Sequence, residues 1–154
     1  MDGTDRWPSA VPLTLLDEQM TALTSLLAGD SVTVQGRYVS LDGVKLTWPP
    51  LPPPPLLVGA TGPKTLALSG RRSAGTILTS ETTPEQVTTA IGHIDGGPDH
   101  DVVVYVSFGA DGAPIDAHRW IDAGATTVVL EPPSDLSDLS TLFAHAASLT
   151  QEFA

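Results

Sequence analysis

Residues 59–64 read GATGPK, and they are the part of the chain best suited to hold a ligand. Gly59, Ala60 and Gly62 let a backbone come close to whatever they face. Pro63 has no N–H to leave unpaired, while Thr61 and Lys64 offer a hydroxyl and a cation. The N–H groups around Gly62, Lys64 and Thr65 head a helical pattern over residues 63–72, at the positive end of its dipole. That arrangement suits an anion such as phosphate. The turn also follows an apolar run, residues 56–60. The C-terminal end of a parallel strand is where α/β sheets and barrels place ligands. The same residues equally make an ordinary strand-to-helix turn, and on composition alone both readings stand.

Other candidates are weaker. His93, His100, His118 and His145 have no second ligand at helical i, i+4 spacing, so they carry no metal logic and read as structural or solvated side chains. Glu131 follows an apolar strand, where it either meets a ligand or caps and solvates the strand end. Asp99 and Asp101 flank His100 in what reads as an exposed turn. Arg71 and Arg72 end a helix and suit its last carbonyls. Trp48 and Trp120 read as packing anchors. Neither GxGxxG, a P-loop lysine motif nor a Ser-His-Asp set is present.

The elements around the turn alternate regularly. Residues 11–29 carry Leu15, Leu16, Met20, Leu23, Leu26 and Leu27 at helical spacing, with Gly29 as the stop. Residues 31–47 alternate in short pieces, with turns expected at Gly36 and Asp42-Gly43, and predict a hairpin. WPPLPPPP, residues 48–55, is a stiff extended connector. Strands are then expected at 56–60, 75–80, 101–108 and 126–132, and helices at 63–72, 83–94, 114–124 and 135–154. Thr83 caps the second of these helices, with Pro84 at its first position. Near-continuous apolar strands alternating with helices predict an α/β fold with a parallel sheet.

The 154 residues include 7 basic and 18 acidic side chains, for a formal charge of −11. That disfavours nucleic acid, which needs a basic face. No run is long and apolar enough to span a bilayer. The first residues, MDGTDRWPSAVP, have no basic stretch leading into an apolar one, as a secretory signal would. The absence of cysteine fits a reducing cytoplasm.

The stretches LLAGDSVTVQGRYVSLDGVKL, PLLVGATGPKTLALSGRRSAGTIL and WIDAGATTVVLEP together resemble the C-terminal half of the luciferase-like monooxygenase family. They are most similar to its deazaflavin-dependent (coenzyme F-420) oxidoreductases related to methylenetetrahydromethanopterin reductase. The resemblance implies a partial (β/α)8 TIM barrel: the last four β-α units over residues 11–154, preceded by a helix and a short β excursion, behind a flexible tail at 1–10. It implies an oxidoreductase using coenzyme F-420 or FMN, with Gly59, Ala60, Thr61, Gly62, Pro63, Lys64, Thr79 and Ser80 at the cofactor phosphate. Where the family commonly has Ala-Asp-Gly, this chain has Ser73, Ala74 and Gly75 and so lacks a carboxylate. The first four β-α units of such a barrel have no counterpart here. The expectation is therefore a homo-oligomer, or a partner chain that completes the barrel. The alternatives are a non-catalytic half-barrel and an inactive truncated remnant. The implied partners are otherwise small molecules, a cofactor and a substrate.

Overall fold

The computed structural model describes residues 13–79, 81–107 and 116–131, with Phe143, Ala144 and Ala147. The expected tail at 1–10, Ser80, and all of the expected closing helix but those three helical residues lie outside the described residues. The chain divides into two compact units, residues 1–56 and 57–154.

In the first unit, helix α1 runs Leu13–Leu27 and buries Met20 and Ala22. It stops where expected: Gly29 takes φ +87°, a left-handed conformation that glycine adopts without cost. Strands β1 (Val32–Gln35) and β2 (Ser40–Val44) form the predicted antiparallel hairpin. Its turn lies at residues 36–39, closed by Gly36 N–H donating to the Val39 carbonyl at 2.8 Å. Asp42-Gly43, expected to turn the chain, instead lies inside β2. Val32 pairs Val44 while Val34 pairs Leu41, so β2 carries an extra residue there, and Gly43 absorbs it at φ +61°. The hairpin is tied to α1 by one side chain. The Glu18 carboxylate accepts from the N–H groups of Arg37, Tyr38 and Val39 at 2.9, 2.8 and 2.9 Å. Trp48 stands 89% exposed, against the expectation of a packing anchor.

The second unit follows the predicted alternation. Strand β3 (Leu57–Gly59) leads to helix α2 (Pro63–Arg72), and β4 (Gly75–Leu78) to α3 (Pro84–Ile91). Strand β5 (Asp101–Ser107) is followed by the short α4 (His118–Asp122) and by β6 (Thr127–Glu131). The four strands are all parallel and lie in chain order, β3-β4-β5-β6. That is the α/β arrangement of a partial (β/α)8 barrel. Pro63 and Pro84 open their helices as expected, because a first helical position has no use for an N–H. Thr83 caps α3: its hydroxyl accepts from Gln86 N–H, and Gln86 Oε1 accepts from Thr83 N–H at 2.8 Å.

The core forms where alternate strand residues meet the helices: Ala60, Leu78, Val102, Val104 and Val106 pack with Leu66, Val87, Ala90 and Ala125. Burying a Val or Leu side chain contributes about 1.5–3 kcal/mol. Two glycines let the layers approach closely. A Cβ at Gly70 would fall 2.6 Å from the backbone N and C of Asp95, and one at Gly75 would fall 2.7 Å from Asp101 Cβ. In-register pairing from Leu57-Gly75-Asp101 to Ser107-Glu131 gathers the C-terminal strand ends on one side of the sheet.

Candidate functional site

At those strand ends lies an open cleft of about 540 Å³. The turn from β3 into α2 contributes Ala60, Thr61, Pro63 and Leu66, and the end of β4 contributes Leu78 and Thr79. The following turn adds Glu81 and Thr82, α3 adds Gln86, Thr89 and Ala90, and the turn after α3 adds His93. The volume falls within the range of small-molecule sites. Of the residues expected at an anion, Ala60, Thr61, Pro63 and Thr79 therefore meet in one cleft. Gly59, Gly62 and Lys64 belong to the same turn but do not line it, and Ser80 lies outside the described residues.

The turn supplies fewer free amides than its sequence suggests. Gly62 N–H donates to Thr65 Oγ1 at 3.2 Å, and that hydroxyl donates back to the Gly62 carbonyl at 2.8 Å. Gly62 at φ −89° thus has its N–H satisfied internally. The N–H groups of Lys64 and Thr65 have no partner among the described residues. No acidic residue stands in the first turn of α2, so the helix does not neutralise its own N-terminal end. The start of α3 differs. Glu85 occupies its first turn, with a carboxyl held below its usual range by its own backbone N–H and by the Thr83 hydroxyl. Free amides, unneutralised dipole and nearby hydroxyls make a donor set that fits a phosphate. A Cβ at Gly59 would meet nothing within 4 Å, which leaves room for a group to approach that strand end.

Trp120 holds the far wall. Its Nε1–H donates to the Thr82 carbonyl at 2.7 Å, tying α4 to the turn beside the cleft. It is the packing anchor its sequence position suggests.

The histidines separate. His93 lines the cleft from the turn that follows α3, because the helix expected over 83–94 ends at Ile91. His100 Nε2 lies 2.9 Å from Thr76 Oγ1, which in turn lies 2.8 Å from Ser69 Oγ. Both hydroxyl residues are fully buried, at the opposite ends of the strands. His118 sits on α4, and His145 lies outside the described residues. No group of three or more metal-binding side chains gathers among the described residues. Arg71 pairs with Asp95 at 3.2 Å, both side chains at least half exposed, so the pair is worth little. Glu131 accepts a long hydrogen bond, 3.5 Å, from Ser107 Oγ at the end of the neighbouring strand.

Single-residue reasoning did not select Glu81, Thr82, Gln86, Thr89 or His93. The signal was present in part: Gln86 and Thr89 are three residues apart in an expected helix, and so share a face once it is placed.

Known proteins extend this picture. The chain is 30% identical over 135 residues to 5,10-methylenetetrahydromethanopterin reductase of Methanolobus tindarius, covering 78% of this chain and 41% of the relative. It is 36% identical over 83 residues to F420-dependent glucose-6-phosphate dehydrogenase of Microbacterium testaceum, covering 53% of this chain and 25% of the relative. A third match, 36% identical over 62 residues, is F420-dependent hydroxymycolic acid dehydrogenase of Mycobacterium tuberculosis, covering 40% of this chain and 17% of the relative. The chain spans less than half the length of these relatives. The family model described as luciferase-like monooxygenase matches residues 3–151, and the chain belongs to that family.

Proposed function

We propose that this chain holds the phosphate end of a deazaflavin cofactor, coenzyme F-420, as part of an oxidoreductase, with FMN as the alternative ligand. The observation that carries the reading is the cleft at the ends of β3 and β4, where partner-free amides of α2 stand beside threonine hydroxyls. The names of two relatives, F420-dependent dehydrogenases, support the choice of cofactor. When bound, the deazaflavin supplies hydride chemistry. The chain's part is to bind and orient it: Lys64 and Thr65 donate backbone N–H groups, and Thr61 and Thr79 donate hydroxyls. Gly59, Ala60, Gly62 and Pro63 shape the turn, and Ser80 completes the proposed contact set. No residue here is assigned to proton transfer.

A second, non-catalytic reading draws on the sheet edges. Among the described residues, β3 and β6 each pair on one side only. Unpaired parallel edges invite further strands from a second copy or from a partner chain. A monomeric mass in solution would count against that reading for this chain.

The test of the main proposal is titration of the purified chain with coenzyme F-420 and separately with FMN, followed by fluorescence, with Gly62→Asp as the comparison. Gly62 has φ −89° and ψ 151°, which any residue can adopt, and a Cβ there would meet only Thr65 Oγ1, at 3.6 Å. Aspartate is also a good N-cap, so the variant folds while placing a negative charge at the helix end. Saturable binding that weakens by about tenfold or more in the variant is expected. Equal binding by both proteins, or none by the folded chain, removes the cofactor reading.

A further inference from the structure

The turn after β4 contains a strained residue that phosphate binding alone leaves unexplained. Glu81 takes φ +72°, in the left-handed region. Glycine adopts that conformation freely and Asn or Asp tolerate it, but a longer side chain pays for it in strain. The surrounding turn is fixed from both sides. Thr82 N–H and Oγ1–H both donate to the Thr79 carbonyl, at 3.3 and 2.6 Å, and Trp120 pins the Thr82 carbonyl. Glu81 lines the cleft, and its carboxylate has no hydrogen-bond or ion-pair partner among the described residues. Glycine would fill this position at lower cost.

The charge of the cleft indicates what that side chain does. Among the described lining residues there is no Lys or Arg. The polar groups are hydroxyls, one amide, the His93 imidazole and the Glu81 carboxylate. Neutral donors and a helix end can hold one negative charge. A second charge would have no cation in the cleft wall and would face the carboxylate. A phosphodiester carries one charge at neutral pH, whereas a phosphomonoester carries between one and a half and two. We propose that Glu81 is a specificity-determining residue, admitting a singly charged phosphodiester to this cleft and disfavouring a phosphomonoester. The inference rests on the phosphate reading above, and it sharpens that reading by choosing between its two cofactors: coenzyme F-420 carries a phosphodiester, FMN a phosphomonoester.

The experiment compares the full chain with Glu81→Gln and Glu81→Gly at pH 7.5 and low ionic strength, measuring dissociation constants for coenzyme F-420 and FMN. The wild type binds F-420 more tightly. Glu81→Gln keeps the backbone strain and removes the charge, so FMN affinity rises by roughly 3- to 10-fold, and by more than F-420 affinity does. Added salt narrows the difference, as screening of a solvent-facing charge requires. Glu81→Gly gives the same shift in preference and a higher melting temperature, because the turn is relaxed as well. A wild type that prefers FMN, or a preference unchanged in both variants, overturns the role of Glu81 while leaving phosphate binding intact. Failure of the folded wild type to bind either cofactor overturns both.

Discussion

One threonine stands near the start of β4 and another just past its end, and the two have opposite surroundings. Thr76 is fully buried, with its hydroxyl shared between Ser69 Oγ at 2.8 Å and His100 Nε2 at 2.9 Å. Ser69 is in turn 3.1 Å from Ser73 Oγ, which also donates to the Gly75 carbonyl at 2.9 Å. Three residues on, Thr79 is exposed and faces the cleft, next to Glu81, which has no partner among the described residues, and the open amides of α2. At one end polar groups satisfy each other and exclude water. At the other they are left open around a concave space. The first arrangement stabilises the fold; the second recruits something from outside. Parallel α/β sheets divide labour along the strand in this way.

The comparison breaks most readily at the closed end. Gly70→Ala puts a methyl group 2.6 Å from backbone atoms of Asp95, which cannot rotate aside as a side chain would. Alanine favours a helix by about 1 kcal/mol over glycine, but overpacking against backbone costs roughly 1–3 kcal/mol or more. We expect net destabilisation in denaturant melts, with cofactor affinity per folded molecule unchanged. A weakened affinity would mean that the two ends are coupled. Thr76→Val is the milder form of the same test. It keeps the shape but takes the Thr76 hydroxyl from His100 Nε2 and from Ser69 Oγ, which keeps Ser73, for a loss of about 1–3 kcal/mol. Thr79→Val makes the identical chemical change at the open end. It should alter stability by less than about 0.5 kcal/mol while weakening cofactor binding. If the two substitutions cost the same stability, the division of labour fails.

Much of this was legible because it depends on local pattern. The helix at 63–72 agrees to the residue, since Pro63 marks its start and the strand beginning at Gly75 marks its limit. Thr83 and Pro84 fixed the start of α3, and apolar runs fixed the four strands to within one or two residues. The turn at Gly59 to Lys64 was recognised for the same reason. What was not legible depends on contacts between distant residues. The consumption of Gly62 N–H by Thr65 is a choice between two acceptors that spacing alone does not settle. Asp42-Gly43 has the composition of a hairpin turn, yet the tighter closure at Gly36 displaced it into a bulge. His100 reads as either structural or solvated, and what makes it structural, its hydroxyl partner, lies 24 residues away. Glu81 gave no signal because a positive φ at glutamate follows from the two anchors on Thr82, one of them 38 residues distant.

The contrast between satisfied and unsatisfied groups extends to two glutamates, and there it predicts the smallest effect. Glu81 has no partner among the described residues, whereas Glu18 receives three backbone N–H groups from the hairpin turn. The bonds from Tyr38, Arg37 and Val39 hold its carboxyl below the ordinary value of 4.5, aided by the nearby Arg37 charge. A group whose pKa is depressed in the folded state adds stability above its unfolded pKa, and that contribution disappears as the pH falls through the folded value. The stabilisation is therefore complete near neutrality and lost below about pH 4. Glu18→Gln retains one acceptor oxygen and removes the charge. Wild type should melt at a higher temperature than the variant at pH 7, and the two curves should converge on acidification. A gap that stays constant from pH 7 to pH 3 would show that the hairpin responds to the shape of the side chain and not to its ionisation.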